Sequence, residues 1–221
     1  MSEKPARSVR KDVLRNREAL VAAARAELSE HGLALSLEQV ARRAGVGIAT
    51  LYRHFPKRAE LVDAVLVEAV EQHAELSEAA LREPDPWTAF ATFLERTAEL
   101  ESTNRGLNDL LSVQLDGMPA CRAVKLRHYY NIRTIITRAQ EDGSLRADLR
   151  AEDLVFITWG NAGILEASAL ADEPGIWRRH LSFLLDGLRA RAATPAPLPP
   201  MSPAEMQRVM ERLGEKRTGQ A

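Results

Sequence analysis

Ser36-Leu-Glu-Gln-Val-Ala-Arg-Arg-Ala-Gly-Val-Gly-Ile-Ala-Thr-Leu-Tyr-Arg-His-Phe55-Pro-Lys-Arg58 decides how this chain folds. It predicts a short helix, a glycine turn and a second short helix, the helix-turn-helix unit that sets one helix into the major groove of duplex DNA. Ser36 is a good N-cap, and Gln39 three residues on completes a capping box. Val40 and Ala41 then face inward. Ala44-Gly45 ends the first helix, because glycine turns there without a Cβ penalty. Val46, Leu51 and Phe55 fall at i, i+5 and i+9 as an inward stripe, which leaves Gly47, Ile48, Ala49, Thr50, Tyr52 and Arg53 facing out. That face is small where the helix starts and polar-aromatic later, which suits a backbone brought close to base edges and phosphates. Pro56 stops the helix, and Lys57 and Arg58 put positive charge where the next one begins.

Leu51-Tyr-Arg-His-Phe55, preceded by Ala-Gly-Val-Gly-Ile-Ala-Thr and followed by a basic residue, resembles the N-terminal DNA-binding domain of the TetR family of transcriptional regulators. The resemblance runs from about Arg15 to Leu66 and is most specific over Val40 to Lys57; beyond that it is one of layout only. It implies an all-α fold, with an N-terminal three-helix helix-turn-helix domain followed by a C-terminal helical bundle for ligand binding and dimerisation. In the family, positions matching Thr50, Tyr52, His54 and Lys57 grip the DNA backbone, and Ser36 at its helix start often does so as well as capping. A polar residue more often stands where this chain has Gly47 and Ile48, so few polar base contacts are expected from them. Gly47 and Ala49 allow close approach to the groove, and Ile48 can press on a thymine methyl. Arg43 and Arg53 are either guanine readers or solvated arginines.

Charge separates the ends of the chain. Net charge is −1, yet residues 1–58 hold 12 Lys+Arg against 6 Asp+Glu, a net of +6, and the remainder is −7. A basic N-terminal segment on an acidic body is what a DNA reader with a separate sensing domain shows. At 221 residues, 45% hydrophobic and 28% charged, the chain buries a substantial core as one large helical domain or a small one joined to a larger one. A single cysteine, Cys121, excludes a disulfide framework and a cysteine zinc site. No stretch approaches the ~20 apolar residues of a bilayer span. The N-terminus has no signal-peptide core. A cytoplasmic protein with no membrane association is expected. The histidines at 31, 54, 73, 128 and 180 fall on separate segments, without metal-binding spacing, a phosphate loop or a nucleophile elbow, so neither an enzyme nor a cofactor or metal site is expected.

Helical periodicity runs throughout. Residues 1–10 are basic, lack an apolar stripe and are expected as a mobile arm, with Lys4, Arg7, Arg10 and the adjacent Lys11. A helix follows over Val13–His31, then the two motif helices, then Lys57 to about Leu81. Asp85 caps the next helix, with Pro86 at its first position. Further helices are expected near Arg105–Leu115, from Pro119 to Glu141, over Glu152–Leu170, which is apolar almost all round, and over Pro174–Ala192. The chain thus divides into 1–58 (arm and helix-turn-helix), 59–193 (helical ligand-binding and dimerisation domain) and 194–221. The last part is a proline-rich spacer and then Ala204–Lys216, which either docks as a helix or is disordered.

Small-molecule sites in helical bundles lie between facing helices, with an apolar lining and a few polar groups. Trp87, Phe90, Phe93, Tyr129, Phe156 and Trp159 are the aromatic candidates, with Asn108 and Arg133 as polar ones; each polar residue is either a ligand contact or structural. An unidentified, apolar or aromatic effector is expected. Resemblance implies that its entry displaces the helix beginning at Lys57 and so respaces two DNA-binding heads. Gly160, Gly163 and Ala167, which let a backbone come close, and the seam Leu181, Leu184, Leu185 and Leu188 form either a homodimer interface or intramolecular core. A dimer is expected because two heads one helical turn apart read a palindromic operator far more tightly than one. Most of the resembled family are repressors. The competing reading is a helical protein-interaction module without sequence-specific DNA binding.

Overall fold

Apolar residues at three- and four-residue spacing build helices from one end of the chain to the other. The computed structural model describes residues 4–31, 35–103, 118–171, 173 and 175–218, which hold nine α-helices and no strand. The all-α expectation is met. α1 spans Lys4–His31, α2 Leu37–Arg43, α3 Ile48–His54, α4 Arg58–Leu81 and α5 Pro86–Thr103. α6 spans Pro119–Glu141, α7 Ala151–Ala169, α8 Trp177–Leu188 and α9 Pro203–Thr218. The helix expected near Arg105–Leu115 lies outside the described residues.

α1 corrects the sequence reading, because residues 4–10 are helical rather than a free arm. Pro5 stands in the first turn, where its missing N–H costs nothing. The Ala, Arg and Lys that follow are strong helix formers that need no apolar stripe. Around the motif, Ser36 caps α2 by accepting from the Gln39 amide at 3.3 Å. The capping box is only half made, since the Gln39 side-chain oxygen accepts from Arg42 one turn on. Gly45 takes φ +69°, a conformation costly for any residue with a Cβ, and Val46 N donates back to Ala41 O at 3.0 Å.

α1 to α3 enclose a core of Leu20, Ala24, Leu28, Val40, Leu51 and Phe55 that α4 completes with Leu61, Val65, Leu66, Val70 and Ala74. Cys121 and Val124 of α6 belong to the same cluster. The second core lies among α5, α6, α7 and α8, around Phe90, Ile135, Leu154, Leu165, Trp177 and Leu181. α4 therefore serves both cores, and a boundary at 58/59 falls at the start of a helix that is part of the first.

α4 and α6 run parallel, joined along their length. The Asp63 carboxylate accepts from the Ala120 and Cys121 amides at 3.1 and 2.9 Å, Glu71 and Glu78 pair with Arg127, and Arg138 donates to the carbonyls of Leu81 and Glu83. Asp63 is buried, so it holds two orphan N–H groups at the start of α6. Asp63→Ala leaves these donors unmet, and charge-assisted bonds are worth about 1.5–3 kcal/mol each. The expected loss is about 3 kcal/mol or more, read as a fall in Tm of roughly 6–12 °C by circular dichroism. An unchanged Tm would show that the α4–α6 joint does not depend on this cap.

Towards the C-terminus α8 is shorter than expected, and the tail takes the helical one of its two alternatives. An isolated antiparallel bridge pairs Leu145 with Arg189, so α8 stops at Leu188 and a 3-10 turn covers Ala190–Ala192. Arg146 donates to Thr194 O at 2.9 Å and Asp148 accepts from Ala196 N at 3.3 Å, which fixes the start of the proline-rich spacer. The tail is helical in α9, with Met206 buried and Ser202 capping it through Glu205 N.

Candidate nucleic-acid interface

The turn at Gly45 and the cap at Gly47 (φ −72°, ψ 151°) direct α3 so that Leu51 and Phe55 enter the core and its other face stays outside. Gly47, Ile48, Ala49, Tyr52, Arg53 and Lys57 are exposed, Tyr52 at 47%, and Thr50 is half-buried. No atom lies within 4 Å of where a Gly47 Cβ would stand, so the start of α3 presents bare backbone outward. Lys57 is the N-cap of α4, where its donor-only ammonium cannot accept from the first amides, and its side chain is exposed. Tyr52 and Lys57 thus stand at the C-terminal end of the outward face and Gly47 to Ala49 at its start.

Two expected DNA contacts depart from this face. His54 is half-buried and its Nε2 is enclosed without a hydrogen-bond partner, because the end of α3 folds it toward the core beside Phe55. Arg43 turns to α1: its guanidinium makes two 3.0 Å bonds to Glu30 and lies 3.6 Å from Glu27. The Glu30 bonds hold that carboxyl below its usual range and push the arginine up. Glu27, Glu30 and His31 bring their ligand atoms within 4.8 Å of one another, but the Arg43 guanidinium supplies the positive charge there. Arg43→Gln is accordingly expected to lower Tm while the preferred operator sequence, read by selection from random duplexes, stays the same. A changed preference at one base position would restore Arg43 as a reader.

Inside the bundle, α4, α5, α6 and α7 carry a group of polar side chains among aromatics. Ser77 is fully buried, donates to Ala74 O at 2.7 Å, and accepts from Asn131 at 3.0 Å. With its proton so used, its 3.1 Å contact to His128 Nδ1 makes that nitrogen the donor and leaves Nε2 an acceptor. Burial, with His73 and Arg127 nearby, lowers His128 to about 4, so the ring is neutral near pH 7. Its stabilising neutrality is complete above the ordinary value near 6.5 and is lost as pH falls toward 4. The Phe93 ring packs 5.9 Å from it. Thr97 Oγ1 and Asn161 Oδ1 are buried without a hydrogen-bond partner. Their helices, α5 and α7, pack against each other.

Of the aromatic candidates, Phe90 and Phe93 are core residues and Trp87 is half-buried with the Arg189 guanidinium 3.6 Å from its ring centroid. Tyr129 donates to Glu152 at 2.7 Å, and burial followed by that bond pushes its hydroxyl up to about 12. Arg133 is exposed, 5.9 Å from the Tyr129 ring. Phe156 corrects the pocket reading, being 46% exposed on α7, and it pairs edge-to-face at 5.4 Å with Trp159, which is half-buried. Asn108 lies outside the described residues.

The proposed interface residues separate by face. Gly160, Gly163 and Ala167 are exposed and Leu184 is half-buried. Leu181, Leu185 and Leu188 are buried in the second core, so that seam packs within the subunit; α8 has two apolar sides, and the outward one carries Phe183, 60% exposed. Among the described residues no helix is long and apolar enough to cross a membrane.

Sequence reasoning missed Asp63 and Ser77 as organising residues, and Arg17, whose guanidinium sits 5.2 Å from the Phe55 ring centroid. A carboxylate inside the stripe Leu61-Val-Asp-Ala-Val65 was the available signal for the first.

Residues 20–65 match the model of bacterial regulatory proteins of the tetR family, and residues 85–190 match the C-terminal domain of SbtR-like transcriptional regulators. The TetR transcriptional regulator SCO0520 from Streptomyces coelicolor is 31% identical, covering 78% of this chain and 98% of its own, with a TM-score of 0.50. The TetR transcription regulatory protein from Mycobacterium vanbaalenii is 27% identical, covering 82% and 99%, also at a TM-score of 0.50. FadR from Bacillus subtilis, solved with stearoyl-CoA, shares the fold at 16% identity and a TM-score of 0.60, covering 77% and 98%. No curated protein matches the chain.

Proposed function

This chain belongs to the TetR family of bacterial regulatory proteins, and from that premise we infer that it is a repressor that holds a palindromic operator as a homodimer and lets go when a small molecule enters its helical body. It is a ligand-responsive, DNA-binding transcriptional regulator; the dimer, the palindrome, repression and a cytoplasmic setting are our reading. The observation that carries it is the double membership of α4. Its first half supplies Leu61, Val65 and Leu66 to the core that orients α3, and Asp63, Glu71, Ser77 and Leu81 tie it to α6. A molecule that alters the α5–α7 packing alters α4, and α4 carries α3 with it. Such a ligand works only through a difference in affinity between the two arrangements.

The effector reading rests on Thr97 and Asn161, two buried oxygens without partners on the packed helices α5 and α7, with Thr97 one turn after Phe93, whose ring meets neutral His128. An unmet buried polar group costs about 1–3 kcal/mol, which a ligand group can recover. The chemistry suits an apolar body bearing a hydroxyl or other uncharged donor. Domains 1–58, 59–193 and 194–221 then act as head, sensor and appended tail, with α4 as the joint.

The test is selection of bound fragments from the source genome with purified, ligand-stripped protein at near-physiological salt. Recovery of a short palindrome supports a dimeric regulator, and nothing above background overturns the reading in favour of a helical interaction module.

A further inference from the structure

The match to the DNA-binding family model begins at residue 20, but α1 begins sixteen residues earlier, at Lys4. Its core-facing stripe starts at Leu20 and Val21. Ahead of them Lys11 to Arg15 are all exposed, including Val13 at 45% and Leu14 at 59%, so this part of the helix stands clear of the body. Lys4 to Arg17 holds six Lys or Arg and one acidic residue, Asp12, which pairs with Arg15 at 3.2 Å. The overhang departs from one side of the DNA-facing helix: Arg17 stacks on Phe55, the residue that caps α3 immediately after Tyr52, Arg53 and His54 and two before Lys57.

We propose that the first turns of α1, Lys4 to Arg17, are a second DNA-contacting element, which lies along the duplex flanking each half-site and grips its phosphates. The proposal rests on the reading of the α3 face given above. Charge complementarity and continuity with that face select this occupant: a strongly basic stretch of helix ends at Arg17 on the Phe55 that caps α3, between Tyr52 and Lys57 in the chain, and phosphates bind arginine and lysine whatever the sequence. Fourteen helical residues extend about 20 Å, or roughly six base pairs at 3.4 Å each. Anchoring by Arg17 on Phe55 fixes the direction of the overhang relative to α3, so the extra contacts fall on one defined flank. Binding through this element reads no bases; it lengthens the footprint and raises salt dependence.

The experiment compares full-length protein with the variant K4Q/R7Q/R10Q/K11Q on two duplexes: a palindrome recovered by the selection above with fifteen base pairs of flank on each side, and the same palindrome trimmed of its flanks. Wild type is expected to bind the flanked duplex at least tenfold more tightly, with a protected region about five base pairs longer at each end in hydroxyl-radical footprinting. The variant is expected to bind both duplexes alike, and the slope of log Kobs against log salt on the flanked duplex should shrink by about 3 or more, as loss of four or so phosphate contacts per dimer requires. Equal wild-type affinity for the two duplexes, or a variant that keeps the preference and the slope, overturns the overhang while leaving the regulator intact. A variant that sediments as a monomer also overturns it, and assigns the Val13 and Leu14 side to a second copy of the chain. If wild type binds neither duplex, the reading of the α3 face has failed instead.

Discussion

Tyr52→Ala with Lys57→Ala lowers affinity for every duplex by about a thousandfold and leaves the thermal melt nearly where it was. Both side chains are exposed, and neither belongs to the core that Leu51 and Phe55 complete. Lys57 forms no side-chain cap bond, so α4 loses nothing at its start when the ammonium goes. A solvent-exposed contact to a phosphate is worth about 1 kcal/mol net, less than the buried charge-assisted bonds of Asp63 because water screens it. Two contacts on each of two heads make about 4 kcal/mol, and each 1.4 kcal/mol is tenfold. Since phosphates carry no sequence, operator and random duplex should weaken together, and the salt slope should shrink by about 2 for the two lysines of the dimer. Fluorescence anisotropy on both duplexes across a salt series measures this. Unaltered affinity, or a loss confined to the operator, would mean that these residues do not grip the backbone.

The motif was legible in the sequence because its constraints are local. Gly45 must take positive φ, Pro56 must stop a helix, and Val46, Leu51 and Phe55 have only one core to enter. The body resisted the same treatment because its helices are apolar on more than one side. Periodicity places Leu181, Leu185 and Leu188 together on α8 but cannot say that their own subunit covers them, nor that Phe183 faces out. Phe156 shows the same limit: a large aromatic suggests an interior, and α7 leaves it 46% exposed beside the half-buried Trp159. Arg43 illustrates a different limit. Near a recognition helix an arginine invites a guanine, yet its partners Glu27 and Glu30 lie on another helix, and only folding brings them together. The Lys4–Lys11 segment shows that helix propensity alone can extend a helix past the last residue of its stripe.

Gly160→Leu with Gly163→Leu yields monomers by sedimentation and weakens operator binding by about a hundredfold or more, while the helices remain folded. In an α-helix each glycine costs about 1 kcal/mol relative to alanine. Nothing in the subunit recovers that cost: no atom lies within 4 Å of a Cβ built at either position. The space is open, exposed, and continuous with Phe156 one turn before and Ala167 one turn after, while Phe183 stands outward on α8. Glycine at such places is useful when a second backbone approaches, and the neighbouring aromatics then fill the remaining gap. Leucine restores helix propensity to each subunit and blocks that approach, so the variant separates assembly from folding. Leu188→Glu does not, because Leu188 is buried in its own core and its replacement unfolds the bundle. Linked heads gain about 10²–10⁴ in avidity over single ones, which sets the expected loss on DNA. A dimer that persists in the glycine variant moves the interface off α7. A monomer that still holds its operator at full strength would mean that one head is enough, and that the palindrome is not read by a pair.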